Sequence, residues 1–130
     1  HWIYENPRHS REERNLAWMR ILNDFSVPAI DHSGLEIYRR QSWQRQLHLF
    51  EVPFYYIEYG VAQLGALQVW KAFRQNPSGA VAAYKNALAL GGSRTLPELF
   101  AAAGAKFDFS AETIRPLMDL IGEELANIPE

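Results

Sequence analysis

The sequence predicts an all-α fold of about six helices, and three features support this class. Apolar residues recur at helical spacing, polar capping residues precede these runs, and glycine or proline follows them. No segment shows the alternating pattern of a convincing strand. At 130 residues, 48% of them hydrophobic, the chain is long enough for one packed domain. We therefore expect residues 1–130 to form a single helical domain or fragment.

The first predicted helix begins at a capping box. Ser10 stands three residues before Glu13, a spacing that lets the two side chains satisfy two free backbone donors. Apolar residues at helical spacing follow at Leu16, Met19, Ile21, Leu22 and Phe25. Val27-Pro28 should end this helix, because the residue before a proline is disfavoured in the α region.

The second predicted helix follows a short polar segment. Either Asp31 or Ser33 is expected to cap it. Leu35 and Tyr38, with Trp43 as a further candidate, are predicted to lie on its buried side.

The third predicted helix is long and runs from about Pro53 to Arg74. Its apolar residues lie almost all around it, which predicts a central buried helix. Gly60 and Gly65 each cost this helix about 1 kcal/mol of propensity. Close approach of another backbone or of a ligand would explain both glycines.

The last three predicted helices cover 80–90, 95–104 and 110–127. A turn and N-cap at 76–78 precedes the first, and Gly91-Gly92 ends it. Thr95 and Glu98 form a second capping box. Ser110 is the expected N-cap of the final helix.

Composition excludes several classes of function. The net charge of -2 argues against binding to nucleic acid or to anionic membranes. No apolar run approaches the ~20 residues of a membrane span. The absence of cysteine excludes disulfides, thiolate zinc sites and a cysteine nucleophile. It also fits a reducing compartment, so we expect a cytoplasmic protein.

The histidines and serines predict no self-contained catalytic centre. The four histidines, at positions 1, 9, 32 and 48, include no pair with His-Glu-x-x-His spacing. The prominent serines are explained as caps and turns, and none lies in a Gly-x-Ser-x-Gly elbow. We therefore predict no metal ligands within this chain.

The strongest candidate site is the aromatic segment RQLHLFEVPFYYIEYGVAQ at 45–63. In a helix starting at Pro53, Tyr59 would share a face with Tyr55 or Tyr56 and with Gln63. A chain reversal could bring His48 toward the start of that helix. Tyrosine and histidine are neutral donors that can stabilise an oxyanion by roughly 3–4 kcal/mol each. The alternative is that these tyrosines belong only to the core.

A second alternative comes from residues 80–90, AVAAYKNALAL. This stretch is similar to the second helix of a tetratricopeptide repeat. The windows about 34 residues upstream and downstream do not repeat its pattern. A stand-alone helical interaction module is therefore kept as the alternative function.

Larger blocks resemble one enzyme family. The run SWQRQLHLFEVPFYYIEYGVAQLGALQVW resembles the C-terminal part of the oligoendopeptidase F branch of the thimet-oligopeptidase-like zinc metallopeptidases. Supporting blocks are HWIYENPRHSREER, SGLEIYRRQSWQRQLH, AYKNALALGG and ELFAAAGAKFDFS. The resemblance covers essentially the whole chain and is most specific from Trp43 to Trp70. It implies a helical segment of a larger endopeptidase that cleaves short peptides.

The resemblance also implies roles for individual residues. Zinc and its general base would lie upstream of His1, on a His-Glu-x-x-His helix that this chain lacks. His48 and Tyr59, with either Tyr55 or Tyr56, would bind the peptide and stabilise the oxyanion. Gln63 and Gly60, from their positions near Tyr59, are the further substrate-binding candidates.

The resemblance finally implies how the chain behaves alone. It would hydrolyse no peptide by itself, because it has neither zinc ligands nor a general base. Its apolar faces would be exposed where the remainder of the catalytic domain normally covers them. We expect it to bind that remainder or to self-associate.

Overall fold

The computed structural model describes residues 1–129 and confirms the all-α class. Within these residues the chain forms eight α-helices and one 3₁₀ turn at Ser42–Arg45. The α-helices are α1 (Trp2–Glu5), α2 (Arg11–Asp24), α3 (Glu36–Gln41), α4 (His48–Glu51), α5 (Ile57–Gln75), α6 (Pro77–Leu90), α7 (Leu96–Ala102) and α8 (Ala111–Ala126). The six predicted helices correspond to α2, α3 and α5–α8. The two additional helices, α1 and α4, have four residues each, too few to show a helical periodicity.

The helices form two compact units, His1–Tyr56 and a second that begins at Ile57. Each unit has its own packing and is described by itself. The expectation of a single domain over 1–130 stays a prediction.

In the first unit, the predicted capping box starts α2. The Ser10 backbone N–H donates to Glu13 Oε2 at 2.7 Å, and the Glu13 N–H donates to Ser10 Oγ at 3.2 Å. The helix ends at Asp24, before Val27-Pro28 as predicted.

A buried tryptophan ties the 3₁₀ turn to α2. Trp43 is 7% exposed, and its indole N–H donates to the Oδ1 of buried Asn15 at 2.8 Å. The Arg14 guanidinium lies 4.7 Å from the Trp43 ring centroid. These contacts satisfy the indole N–H and confirm the predicted burial of Trp43.

Two expectations for the second helix are wrong. Asp31 accepts hydrogen bonds from the backbone N–H and hydroxyl of Ser33, so neither residue caps α3, whose N-cap is Leu35. Leu35 and Tyr38 are exposed rather than buried, Tyr38 by 72%. The side chain of Asp31 closes a local turn, which competes with capping.

In the second unit, α5 packs against α6 and α8, and α6 packs against α7. The Asn76 side chain caps α6 by accepting from the Gly79 N–H at 3.1 Å, and α6 starts at Pro77, earlier than predicted. Glu98 accepts from the backbone N–H and hydroxyl of Thr95 at the start of α7. The Ser110 hydroxyl accepts from the Thr113 N–H and caps α8, as predicted.

The prediction of a central buried helix is wrong for α5. The helix begins at Ile57 instead of Pro53, and none of its residues is fully buried. Apolar residues surround it, but α6, α7 and α8 cover only part of that circumference. The uncovered part borders an apolar groove of about 690 Å³ between α5, α6 and α7.

The two glycines of α5 have different surroundings. A Cβ at Gly65 would lie 3.0 Å from Cζ of Phe100 in α7, so the close neighbour there is a side-chain ring and not the second backbone that was one of the two expectations. A Cβ at Gly60 would meet no described atom within 4 Å. Approach of a second backbone therefore does not explain Gly60 within the described part of the chain.

Candidate functional site

The predicted site residues divide between the two units. His48, Tyr55 and Tyr56 belong to the first unit, whereas Tyr59, Gly60 and Gln63 belong to the second. Each set has its own geometry.

A tight turn organises the first set. The Tyr55 backbone N–H donates to the Val52 carbonyl at 3.1 Å, with Pro53 and Phe54 between them. The φ of Phe54 is 67°, a left-handed value. This chain reversal follows the short helix α4, which begins at His48, and it returns the chain toward that residue.

The turn places both tyrosine rings against His48. The His48 ring centroid lies 4.7 Å from that of Tyr56 and 5.7 Å from that of Tyr55, with the latter pair stacked at 24°. His48 is half-buried, and the two tyrosines remain accessible. The structure thus brings together three of the predicted residues in one aromatic cluster.

The two tyrosines of this cluster differ in hydrogen bonding. The Tyr56 hydroxyl donates to Gln46 Oε1 at 2.7 Å. To donate to another acceptor, Tyr56 would have to break that bond. Breaking the bond to Gln46 costs free energy, so Tyr56 is a less favourable donor toward a ligand than Tyr55.

The second set lies on the first turns of α5. Tyr59 and Gln63 are four residues apart within this helix and therefore share a face, with Gly60 next to Tyr59. Tyr59 is 54% exposed. The helical spacing predicted between Tyr59 and either Tyr55 or Tyr56 is wrong, because both precede the helix.

Three carboxylates outside this cluster, two at helix starts and one in a local turn, have a lowered pKa. The Ser10 backbone N–H and hydroxyl lower the pKa of Glu13. The Thr95 hydroxyl and N–H likewise lower the pKa of Glu98. The Ser33 hydroxyl, followed by its N–H, lowers the pKa of Asp31. In each case hydrogen bonds favour the charged form.

The donor set of the described residues does not fit a zinc ion. No group of three or more His, Cys, Asp or Glu side chains among residues 1–129 is arranged to hold a metal. Among the same residues, no helix is long and apolar enough to cross a membrane.

A family profile described as Peptidase family M3 matches residues 1–118. The chain belongs to Peptidase family M3. The match includes the whole aromatic segment 45–63, and it makes this chain part of a metallopeptidase-type hydrolase. No curated protein and no solved structure matched the chain.

Two residues contribute to the candidate site of this M3 segment without having been predicted from the sequence. Gln46 accepts the Tyr56 hydrogen bond, and only the folded turn brings these residues together. Phe54 has a positive φ. Pro53 before it is a turn signal, whereas the sequence pattern predicts that this proline starts a helix.

Proposed function

We propose that this M3 chain is a C-terminal segment of a zinc-dependent endopeptidase of the oligoendopeptidase F type, which hydrolyses short peptides. Its role is to bind the substrate backbone and to stabilise the oxyanion that forms during hydrolysis. One observation carries the proposal: in a chain that matches Peptidase family M3, the His48 ring lies against the rings of Tyr55 and Tyr56.

The proposed chemistry uses neutral hydrogen-bond donors. The Tyr59 hydroxyl and a His48 ring N–H donate to the oxygen of the scissile carbonyl as negative charge develops on it. Each such donor contributes roughly 3–4 kcal/mol to transition-state stabilisation when water is excluded. A tyrosine O–H and an imidazole N–H are each able to donate one hydrogen bond to such an oxygen.

Tyr55 is the preferred second tyrosine donor. The Tyr56 hydroxyl is engaged with Gln46, so Tyr56 serves better to orient the cluster. Gln63 shares the Tyr59 face of α5 and is proposed to hydrogen-bond the peptide backbone. Gly60, which has open space around it, is proposed to let that backbone approach.

Zinc is proposed as the cofactor of the complete enzyme, held by residues outside these 130. When bound, zinc supplies a Lewis acid and an activated water. The residues of this chain bind and orient the substrate carbonyl. The chain alone is therefore expected to hydrolyse no peptide.

The proposed partners are a short peptide and the remainder of the catalytic domain. Many large apolar side chains of this chain are exposed, including Phe73, Tyr84, Leu88 and Leu96 along the α5–α7 groove. Exposed apolar surface of this extent favours association. Self-association of the isolated chain is the expected outcome without that partner, and a cytoplasmic location is proposed for the enzyme.

The decisive experiment replaces Tyr59 by Phe in the complete peptidase. Loss of a donor used only in the transition state lowers kcat by about 10²–10³ and changes KM much less. Steady-state hydrolysis of a quenched fluorescent peptide measures both constants. Tyr38→Phe is the matched control, because Tyr38 is an exposed tyrosine outside the aromatic cluster.

Turnover of the Tyr59→Phe enzyme within a factor of about two of the control would sink the assigned role. A rise in KM at unchanged kcat would instead assign Tyr59 to substrate binding alone.

A further inference from the structure

Phe54 has a backbone conformation that its residue type rarely adopts. Its φ of 67° lies in the left-handed region, which is unfavourable for residues with a Cβ. Pro53 precedes it, and the Tyr55 N–H to Val52 carbonyl bond closes the turn. These are features of a type II turn, whose third position favours glycine. A phenylalanine at this position requires other contacts to offset the strain.

The ring of Phe54 makes such a contact. It stacks on Tyr4 of α1 with ring centroids 5.1 Å apart and planes inclined by 26°. Stacked aromatic pairs at this separation attract one another beyond simple burial. Phe54 and Tyr4 are 61% and 62% exposed, so deep burial does not hold the Phe54 side chain, and the ring contact is the interaction that remains to do so.

The restrained turn acts directly on the candidate site. Tyr55 follows Phe54 directly and Tyr56 is the next residue, and His48 lies on the opposite arm of the turn. A change in φ at Phe54 redirects the chain immediately before both tyrosines. The His48 contacts at 4.7 and 5.7 Å therefore depend on this single backbone angle.

We propose that Phe54 is a positioning residue: its stack on Tyr4 holds the strained turn that places Tyr55 and Tyr56 against His48. The consequence for catalysis rests on the proposed function, in which this cluster binds the substrate. The geometric role stands apart from it and has its own measurement.

The geometric role is tested by NMR of the His48 ring protons in this chain. Aromatic rings stacked on His48 shift these protons upfield. We expect Phe54→Ala and Tyr4→Ala each to remove more than about half of that shift, because each deletes the stack. Phe54→Tyr keeps the ring and should retain the shift. Phe25→Ala, at an 83% exposed phenylalanine, is the control and should change nothing.

Phe54→Gly separates the ring contact from the backbone requirement. Glycine accepts a positive φ without strain but leaves the turn free to adopt other conformations. The proposal therefore predicts that Phe54→Gly also loses the His48 shift. Retention of the full shift in Phe54→Gly or in Phe54→Ala would overturn it, as would an equal loss in Phe54→Tyr. If Phe54→Ala has lost its helical circular dichroism, Tyr4→Ala decides by the same criterion.

Peptide hydrolysis by the complete enzyme tests the catalytic consequence. A misplaced cluster should lower kcat/KM about 10- to 100-fold in Phe54→Ala, with recovery in Phe54→Tyr. Loss of the His48 shift with undiminished hydrolysis would support the positioning role of Phe54 and contradict the proposed function of the cluster. Failure of the positioning role and failure of the proposed function therefore give different results.

Discussion

Alanine substitution at the two glycines of α5 gives a matched comparison within one helix. Gly60→Ala adds a methyl group into open space, whereas Gly65→Ala adds one 3.0 Å from Cζ and 3.2 Å from Cε1 of Phe100. Both substitutions improve helix propensity by roughly 0.5–1 kcal/mol. Only Gly65→Ala forces a neighbouring ring to move.

The magnitudes follow from these distances. Ordinary carbon contacts lie at 3.4–4 Å, so the Phe100 ring must shift by a few tenths of an ångström. Overpacking of this kind costs about 1–3 kcal/mol. Gly60→Ala is therefore expected to raise the free energy of unfolding by roughly 0.5–1 kcal/mol relative to the wild-type chain. The Gly65→Ala variant is expected to be less stable than the Gly60→Ala variant by about 1–3 kcal/mol.

Urea unfolding followed by circular dichroism measures both free energies. The double variant Gly65→Ala with Phe100→Leu should recover at least about 0.5 kcal/mol relative to the sum of the single changes, because the two residues are in contact. Equal stabilisation by Gly60→Ala and Gly65→Ala would refute the close packing of α5 on α7.

The same Gly60→Ala variant tests function in the complete peptidase. If the substrate backbone approaches Gly60, the added methyl should lower kcat/KM by about 10-fold even though the chain becomes more stable. A stabilised enzyme with unchanged kcat/KM would remove Gly60 from the substrate site.

Two further predictions concern stability. Because the Thr95 hydroxyl and N–H lower the pKa of Glu98 below its ordinary value of 4.5, its ionised form stabilises the fold above pH 4.5, and this contribution is lost as the pH falls through the folded-state pKa. Tm should therefore fall less between pH 5 and 3 in Glu98→Gln than in the wild-type chain, because the glutamine amide keeps the cap without titrating. An equal fall of Tm in the variant and in the wild-type chain would contradict this. Asn15→Ala leaves the buried Trp43 indole N–H without its acceptor and should lower the free energy of unfolding by about 1–3 kcal/mol. The exposed Asn23→Ala is its control on the same helix, and equal losses would count against the Asn15–Trp43 bond.

Local capping chemistry was the most predictable part of this fold. The N-caps of α2, α7 and α8 are Ser10, Thr95 and Ser110 as predicted. They were predictable because a cap and its partner are three residues apart. Such contacts form within a single turn of chain and need no tertiary partner.

Burial and turn geometry were less predictable because they depend on distant residues. Tyr38 has helical spacing with its neighbours, yet no element covers it enough to bury it. Pro53 suits a helix start and the second position of a turn equally well. The Tyr4–Phe54 stack, across 50 positions of sequence, accompanies the turn that forms instead.

Within the candidate site, the identity of the functional residues stays a prediction, whereas their predicted arrangement can be compared with the structure. The aromatic segment and its resemblance to M3 peptidases indicated His48, Tyr55, Tyr56 and Tyr59. The helical relation between Tyr55 or Tyr56 and Tyr59 was wrong, since α5 begins only at Ile57. The ring contacts with His48 come from the preceding turn, which one positive φ defines.

The central claim is that this chain stabilises the oxyanion of peptide hydrolysis, and a transition-state analogue tests it most directly. In the complete peptidase, the inhibition constant of a phosphinic peptide, whose tetrahedral P–O⁻ mimics the oxyanion, is compared with the KM of the matching substrate. Tyr59→Phe should weaken binding of the phosphinic peptide by about 100-fold and raise KM by less than about 3-fold. Equal losses for analogue and substrate would contradict the claim.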